Sequence, residues 1–185
     1  MNWVEEVNQK VKQKKHTLFC KKSEYLQDLI ELFQGRDHRV MALWAFDFAA
    51  ESIAELEKKH PNEKRPREAL EAARSWAAGT IKMRSAQRKI LDCHAAAKEI
   101  GCSEDIAACH AIGQACAVVH TAGHAIGYPI YDLTSIRYRF DRLEMEGWVE
   151  EMEQRKQRYK NKLLFWEAHI SDYRGTWATF MTRRS

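Results

Sequence analysis

Two histidines in the middle of the sequence are the first residues whose type and spacing could do chemistry. His120 and His124 are four positions apart, which on a helix places two imidazoles on one face, where both can bind a metal ion. Thr121 stands where a zinc-protease motif has glutamate, so a third ligand would come from the preceding helix, from His94 or Cys93. Buried histidines also hydrogen-bond to neighbouring helices, and two histidines without fixed partners favour that role. We therefore predict no metal, with a site of His94, His120 and His124 as the alternative.

The cysteines and the reaction motifs predict no catalysis. Cys102, Cys109 and Cys116 are seven positions apart, which on a helix separates neighbours by about 10 Å, too far to share one ion. We interpret them as small buried apolar residues. The sequence has no glycine-rich phosphate loop, nucleophile elbow or nicotinamide fingerprint. We therefore expect no enzyme activity and no cofactor, and an enzyme built on the histidines is the alternative.

The elements that must position these side chains are predicted to be helices. Gly (8) and Pro (3) are scarce among 185 residues, and apolar residues, 45% of the total, recur at helical spacing along nearly the whole chain. End signals place one helix from Pro66 to Gly79 and the next from Thr80 to Ile100. The sequence predicts an all-α fold, a single domain over residues 1–185 built as a bundle of about seven or eight helices.

An uncharged segment is predicted to be the central helix of this bundle. Residues 106–131 contain no Asp, Glu, Lys or Arg, and a helix from Ile106 to Gly127, rich in Ala, Gly and His, would be buried on all sides. Its histidines, Gln114 and glycines are too polar for a lipid-facing span, so we expect no membrane partner. Pro129 should end or kink this helix.

The last third of the chain carries a different pattern. Apolar residues from Met145 to Trp177 recur at intervals of three and four, with Lys156 as an interruption. This spacing is typical of a long helix that lies along another helix. Bulky aromatic residues suit an irregular core better than a coiled coil, so packing within the same chain is favoured, and a homodimer is the alternative.

Charge and cysteine content restrict the partners and the compartment. The net charge of +4, from 30 basic and 26 acidic residues, indicates neither a nucleic-acid nor a membrane partner. The run from Lys10 to Lys22 lacks arginine and is interpreted as a solvated face rather than a nucleic-acid site. An odd number of cysteines, five, and an acidic N-terminus without an apolar signal core predict a reducing, cytoplasmic location.

Three blocks of sequence resemble a known family. They are Leu43–Asp47 (LWAFD), Arg65–Gly79 (RPREALEAARSWAAG) and His120–Gly127 (HTAGHAIG). Together they resemble the immunity-family-five-like helical domain found in bacterial polymorphic-toxin loci. The resemblance covers a core of residues 36–131, and residues 132–185 would form a C-terminal helical extension. It implies a cytoplasmic bacterial protein that binds and neutralises a cognate toxin domain and needs no catalytic residues of its own.

The polar residues of these blocks have two interpretations. They are either a pocket or interface for the partner, or internal pairs that fix the register of the helices, and internal pairing is favoured. The residues in question are Asp47, Arg65, Arg67, Arg74, His120 and His124. A helical oligomerisation module, which would use the seam of residues 145–177 and bind no toxin, is a further alternative.

A partner surface is predicted on the second helix. Glu24, Asp28 and Glu31 would form an acidic face, and many nucleic-acid-cleaving toxins have basic active-site clefts that such a face complements. The lysine run of residues 10–22 is the alternative for an acidic toxin face. Fast, charge-steered association would suit a protein that must capture a toxin before damage accumulates.

Overall fold

A computed structural model describes residues 2–183, and within this range the chain forms eight α-helices and no strand. The all-α prediction is confirmed. Four short 3-10 turns lie between or after the helices, at Glu24–Leu26, Ala122–His124, Ile170–Asp172 and Thr179–Met181. The helices are α1 Trp3–Lys12, α2 Gln27–Phe33, α3 His38–Lys59, α4 Arg65–Ala77, α5 Met83–Ala96, α6 Ser103–Ala117, α7 Gly127–Arg142 and α8 Trp148–His169.

Helix α6 lies at the centre of the bundle. Helices α3, α4, α5 and α7 all pack against it. Its small side chains allow this close approach, and more than half of its residues are buried. The prediction of a central, buried helix rich in Ala, Gly and His is therefore confirmed for residues 103–117.

The predicted helix from Ile106 to Gly127 is wrong as a single element. Helix α6 ends at Ala117, a 3-10 turn follows at Ala122–His124, and a new helix, α7, begins at Gly127. Pro129 lies in the first turn of α7, where an N–H has no helical partner, so the missing donor of proline costs nothing there. Pro129 therefore belongs to the start of a helix rather than to the end of one.

Helix α4 follows its predicted limits, whereas α5, which ends at Ala96 rather than at Ile100, is shorter than predicted at both ends. Gly79 adopts the left-handed conformation, with φ of 79°, just after α4, as a terminating glycine should. The predicted start of α5 at Thr80 is wrong, because α5 begins at Met83. The Thr80 hydroxyl instead donates a hydrogen bond to the carbonyl of Ser75, 2.9 Å away, and helps to close the end of α4.

Helix α8 packs on its own chain. It contacts α2, α3 and α7, and Met152, Tyr159 and Leu163 of the predicted seam are fully buried. Trp44 of α3 donates its indole N–H to the Tyr159 carbonyl at 3.0 Å. The favoured prediction of packing within the chain is thus confirmed. The helix is shorter than the predicted seam, because Met145 precedes it and it ends at His169, before Trp177.

One hydrophobic cluster includes buried side chains from each of these helices. Within residues 2–183, no helix combines the length and the apolar character needed to cross a membrane.

Candidate functional site

The two arginines at the start of α4 are both paired with carboxylates. Arg67 donates two hydrogen bonds to Glu57 at the end of α3, at 2.6 and 2.5 Å. Arg65 binds Glu63 and also reaches Glu99 beyond the end of α5, with its Nη2 2.9 Å from the carboxylate. These pairs join α4 to α3 and to the connection after α5. The block that begins Arg-Pro-Arg therefore contributes ion pairs that link α4 to its neighbours.

Asp47 and Arg74 also make contacts inside the chain, at separate places. Asp47 accepts a hydrogen bond from the indole N–H of Trp166 at 2.9 Å and lies 3.2 Å from Nζ of Lys162, so it ties α3 to α8. The Arg74 guanidinium lies 5.7 Å from the centre of the Phe46 ring, in a cation–π contact. These contacts match the internal-pairing interpretation of the polar positions in the shared blocks.

His120 and His124 lie on the connection between α6 and α7 rather than on a continuous helix. Their ring centres are 6.3 Å apart. His120 is exposed and stacks on Trp76 of α4, with ring centres 6.2 Å apart. Nδ1 of His124 is 3.4 Å from the side-chain oxygen of Gln114. The four-residue spacing thus does not place the two imidazoles on one helix face, because the helix has already ended at Ala117.

A different histidine pair forms between α5 and α6. Nδ1 of His94 and Nδ1 of His110 are 2.9 Å apart, and their ring centres are 5.2 Å apart. The two nitrogens therefore face each other nearly head-on, which is the geometry of one shared proton rather than of two lone pairs that converge on a metal. The sequence offered His94 only as a possible metal ligand and gave no sign of this pair, because only the packing of α5 on α6 brings the two rings together.

Gly113 makes room for this pair. A Cβ at residue 113 would lie 2.5 Å from the imidazole of His94, and the three nearest heavy atoms all belong to that ring. Burial, together with the proximity of His110 and His124, lowers the pKa of His94 to about 4. The pair is therefore neutral near pH 7, and its members serve as hydrogen-bond partners.

The alternative metal site does not come together. Among residues 2–183, His94, His120 and His124 do not form a group of three ligands around one point. Three other side chains have ligand atoms within 4.8 Å of one another, namely Cys102, Glu104 and Asp105 at the start of α6.

The acidic side chains of that second group already have partners. Lys59 binds both carboxylates, at 2.8 Å for Glu104, and Arg142 binds Glu104 at 2.6 Å. His60 lies 2.8 Å from Asp105. Burial alone would raise the pKa of Asp105, but hydrogen bonds from Lys59 and His60 hold it below its usual value. The cluster is thus a set of ion pairs that fixes the start of α6.

A cleft of about 710 Å³ lies between α3, α6, α7 and α8. Six acidic and six basic side chains line it, so its charge is balanced. A buried network closes its floor: Arg155 donates to Asp132 at 2.7 Å, to Glu51 at 2.9 Å and to the Tyr128 hydroxyl at 2.9 Å. Tyr159 also donates to Asp132. The polar groups on the floor are paired with one another, which makes the network a structural link between α3, α7 and α8.

The comparison with known families decides the family. The model of the family described as "Imm-5 like putative immunity protein" matches residues 31–162, which is well over half of the chain. The chain belongs to this Imm-5 like family. No curated protein and no solved structure matches it significantly. The Imm-5 like match includes α3 to α7 and most of α8, so it extends past the core of residues 36–131.

The predicted acidic surface lies almost wholly outside the Imm-5 like match. Glu31 is the first residue of the match, and Glu24 and Asp28 precede the match. Asp28 lies between two lysines of α8, 2.8 Å from Lys156 and 2.6 Å from Lys160. Burial favours the neutral acid, but these hydrogen bonds hold the pKa of Asp28 below its usual value. One of the three acidic charges is thus neutralised within the chain.

Proposed function

We propose that this protein is an immunity protein that binds a cognate toxin domain and neutralises it. The observation that carries the proposal is membership of the Imm-5 like family across residues 31–162. The proposal includes the finer expectations from the sequence, namely a toxin of a bacterial polymorphic-toxin system and action in the cytoplasm.

The internal pairing of charged side chains supports this function. An inhibitor that acts by binding gains affinity when its surface is formed in advance, because less conformational entropy is lost on association. Here the shared polar positions hold helices together: Arg67 joins α4 to α3, and Asp47 joins α3 to α8. Such links keep the exposed faces of the helices in fixed relative positions.

The test is co-expression with the toxin domain encoded beside the gene. We expect this protein to restore growth to cells that express that domain, and the two proteins to co-purify as a stable complex. A toxin domain from an unrelated locus is the control and should not be neutralised. Continued toxicity, with both proteins expressed and folded, would contradict the proposed function.

A further inference from the structure

Helix α5 has two faces of opposite character. One face packs against α4 and α6. It carries a regular stripe of buried residues, namely Ala86, Ile90 and Cys93, and the stripe continues to Ala97, the first residue after the helix. The opposite face carries Arg84, Arg88 and Leu91, which lie three to seven positions apart and so form one outward stripe. Helix α5 is therefore anchored on one side and presents two arginines and a leucine on the other, with Asp92 one turn beyond Arg88.

The outward charges of α5 are not used by the fold. Within residues 2–183, neither Arg84 nor Arg88 forms an ion pair or a side-chain hydrogen bond. The neighbouring Lys89 differs, because it binds Glu68 of α4 at 2.8 Å. Arginines on the other helices that sequence reasoning singled out, such as Arg65 and Arg67, are paired with carboxylates.

A large apolar side chain accompanies these arginines. Leu91 is 60% exposed, although it belongs to a helix whose other side is buried. Arginine is enriched at protein–protein interfaces, where an apolar centre is surrounded by polar groups. The outward face of α5, meaning Arg84, Arg88 and Leu91, thus has the composition of a binding surface that lacks its partner.

We propose that this outward face of α5 is the surface that docks the toxin domain, and that it meets an acidic surface with an apolar depression for Leu91. The inference rests on the proposed function and adds the site and the chemistry of the partner. The face of α5 takes the place of the acidic partner surface predicted from the sequence on α2, where Asp28 is neutralised by Lys156 and Lys160. Helix α5 also lies entirely within the family match.

The same face fits other partners less well. A single-stranded nucleic acid is held by aromatic side chains on which its bases stack, and α5 has no aromatic residue of the Phe, Tyr or Trp type. A second copy of this chain, related by a two-fold axis that passes near Arg88, would bring the two Arg88 side chains together, and like charges repel.

The experiment measures binding of the wild-type and variant proteins to a catalytically inactive form of the neighbouring toxin domain. Charge reversal in Arg84→Glu/Arg88→Glu should slow association about tenfold or more at low salt, with a smaller effect at high salt. Leu91→Ser should speed dissociation about tenfold. All three positions are exposed, and circular dichroism verifies that the variants fold; Arg84→Gln/Arg88→Gln serves if the reversal disturbs α5.

Matched controls separate this surface from overall charge. Lys15→Glu/Lys22→Glu changes the net charge equally at exposed lysines of the run before α2, and Leu164→Ser alters an exposed leucine of α8. Both should bind as the wild type does. Equal loss in the lysine control, or loss there alone, would overturn the assignment to α5.

The outcomes also distinguish the inference from the proposed function. A toxin that is neutralised by the wild type and equally by the α5 variants would leave the function standing and refute the surface. Failure of the wild type itself would count against the function. Wild-type binding to a labelled single-stranded oligonucleotide, or a dimer in sedimentation, would overturn the inference if the α5 variants abolish it.

Discussion

The contact between Gly113 and His94 gives a prediction whose sign can be tested. Replacing Gly113 with Ala would place a Cβ 2.5 Å from the His94 ring, well inside ordinary van der Waals contact. The ring must then leave its position, which breaks the hydrogen bond between His94 and His110. We therefore expect Gly113→Ala to destabilise the protein even though alanine is the better helix former.

The expected change in the free energy of unfolding has three contributions, two destabilising and one stabilising. Relief of the overlap costs about 1–3 kcal/mol, as overpacking in a buried site usually does. Loss of the hydrogen bond to His110 adds about 1 kcal/mol. The higher helix propensity of alanine returns about 1 kcal/mol. The net effect on the free energy of unfolding is a decrease of about 1–3 kcal/mol.

A double-mutant cycle isolates the clash. In a His94→Ala background the three nearest atoms are gone, so Gly113→Ala should increase the free energy of unfolding by up to about 1 kcal/mol. Urea denaturation at pH 7, followed by circular dichroism, measures all four proteins. Gly123→Ala is the control, because a Cβ at residue 123 would meet only the Thr121 hydroxyl, at the ordinary contact distance of 3.8 Å. If Gly113→Ala has the same sign in both backgrounds, the stated role of Gly113 is refuted.

Two further predictions concern buried polar groups. Arg155→Met leaves Asp132 buried without its guanidinium and should lower the free energy of unfolding by about 3–5 kcal/mol. Arg158→Met, one turn along the same helix and exposed, should cost less than about 1 kcal/mol, and equal losses in urea denaturation would contradict the burial argument. The pKa of His94 is lowered to about 4, so the unfolded chain takes up a proton at higher pH than the folded one. The free energy of unfolding should therefore decrease as the pH is lowered from about 6.5 to 4. His94→Gln should flatten that decline, and an unchanged slope would contradict it.

The parts of the fold that the sequence predicted are those set by local pattern. The buried stripe of α4 and the glycine after it are visible as helical spacing and as a terminator, and both are found in the structure. The break after Ala117 was missed because an apolar, alanine-rich segment satisfies a helix pattern whether or not the helix continues. Pro129 was the available signal of the new helix, because proline is common in the first turn of a helix as well as after its end.

The polar pairs were less predictable because their members are distant in the sequence. Asp28 is neutralised by lysines of α8 that are 128 and 132 positions away, a pairing that helical periodicity cannot reveal. The network of Arg155 with Asp132 depends in the same way on how α8 crosses α7. Sequence reasoning identified Lys156 as the interruption of the α8 seam, while the residue beside it, Arg155, is the one whose side chain is buried.

The charged side chains that are already paired within the chain restrict where a partner can bind. Side chains whose charges are satisfied inside the chain, such as Arg65 and Asp47, would have to break existing contacts before they could bind a toxin. The outward residues of α5 face no such cost, because Arg84 and Arg88 are solvated and their removal leaves the packing of α5 on α4 and α6 intact. Recognition through α5 therefore requires no rearrangement of the bundle, and it would use side chains that the fold itself does not need.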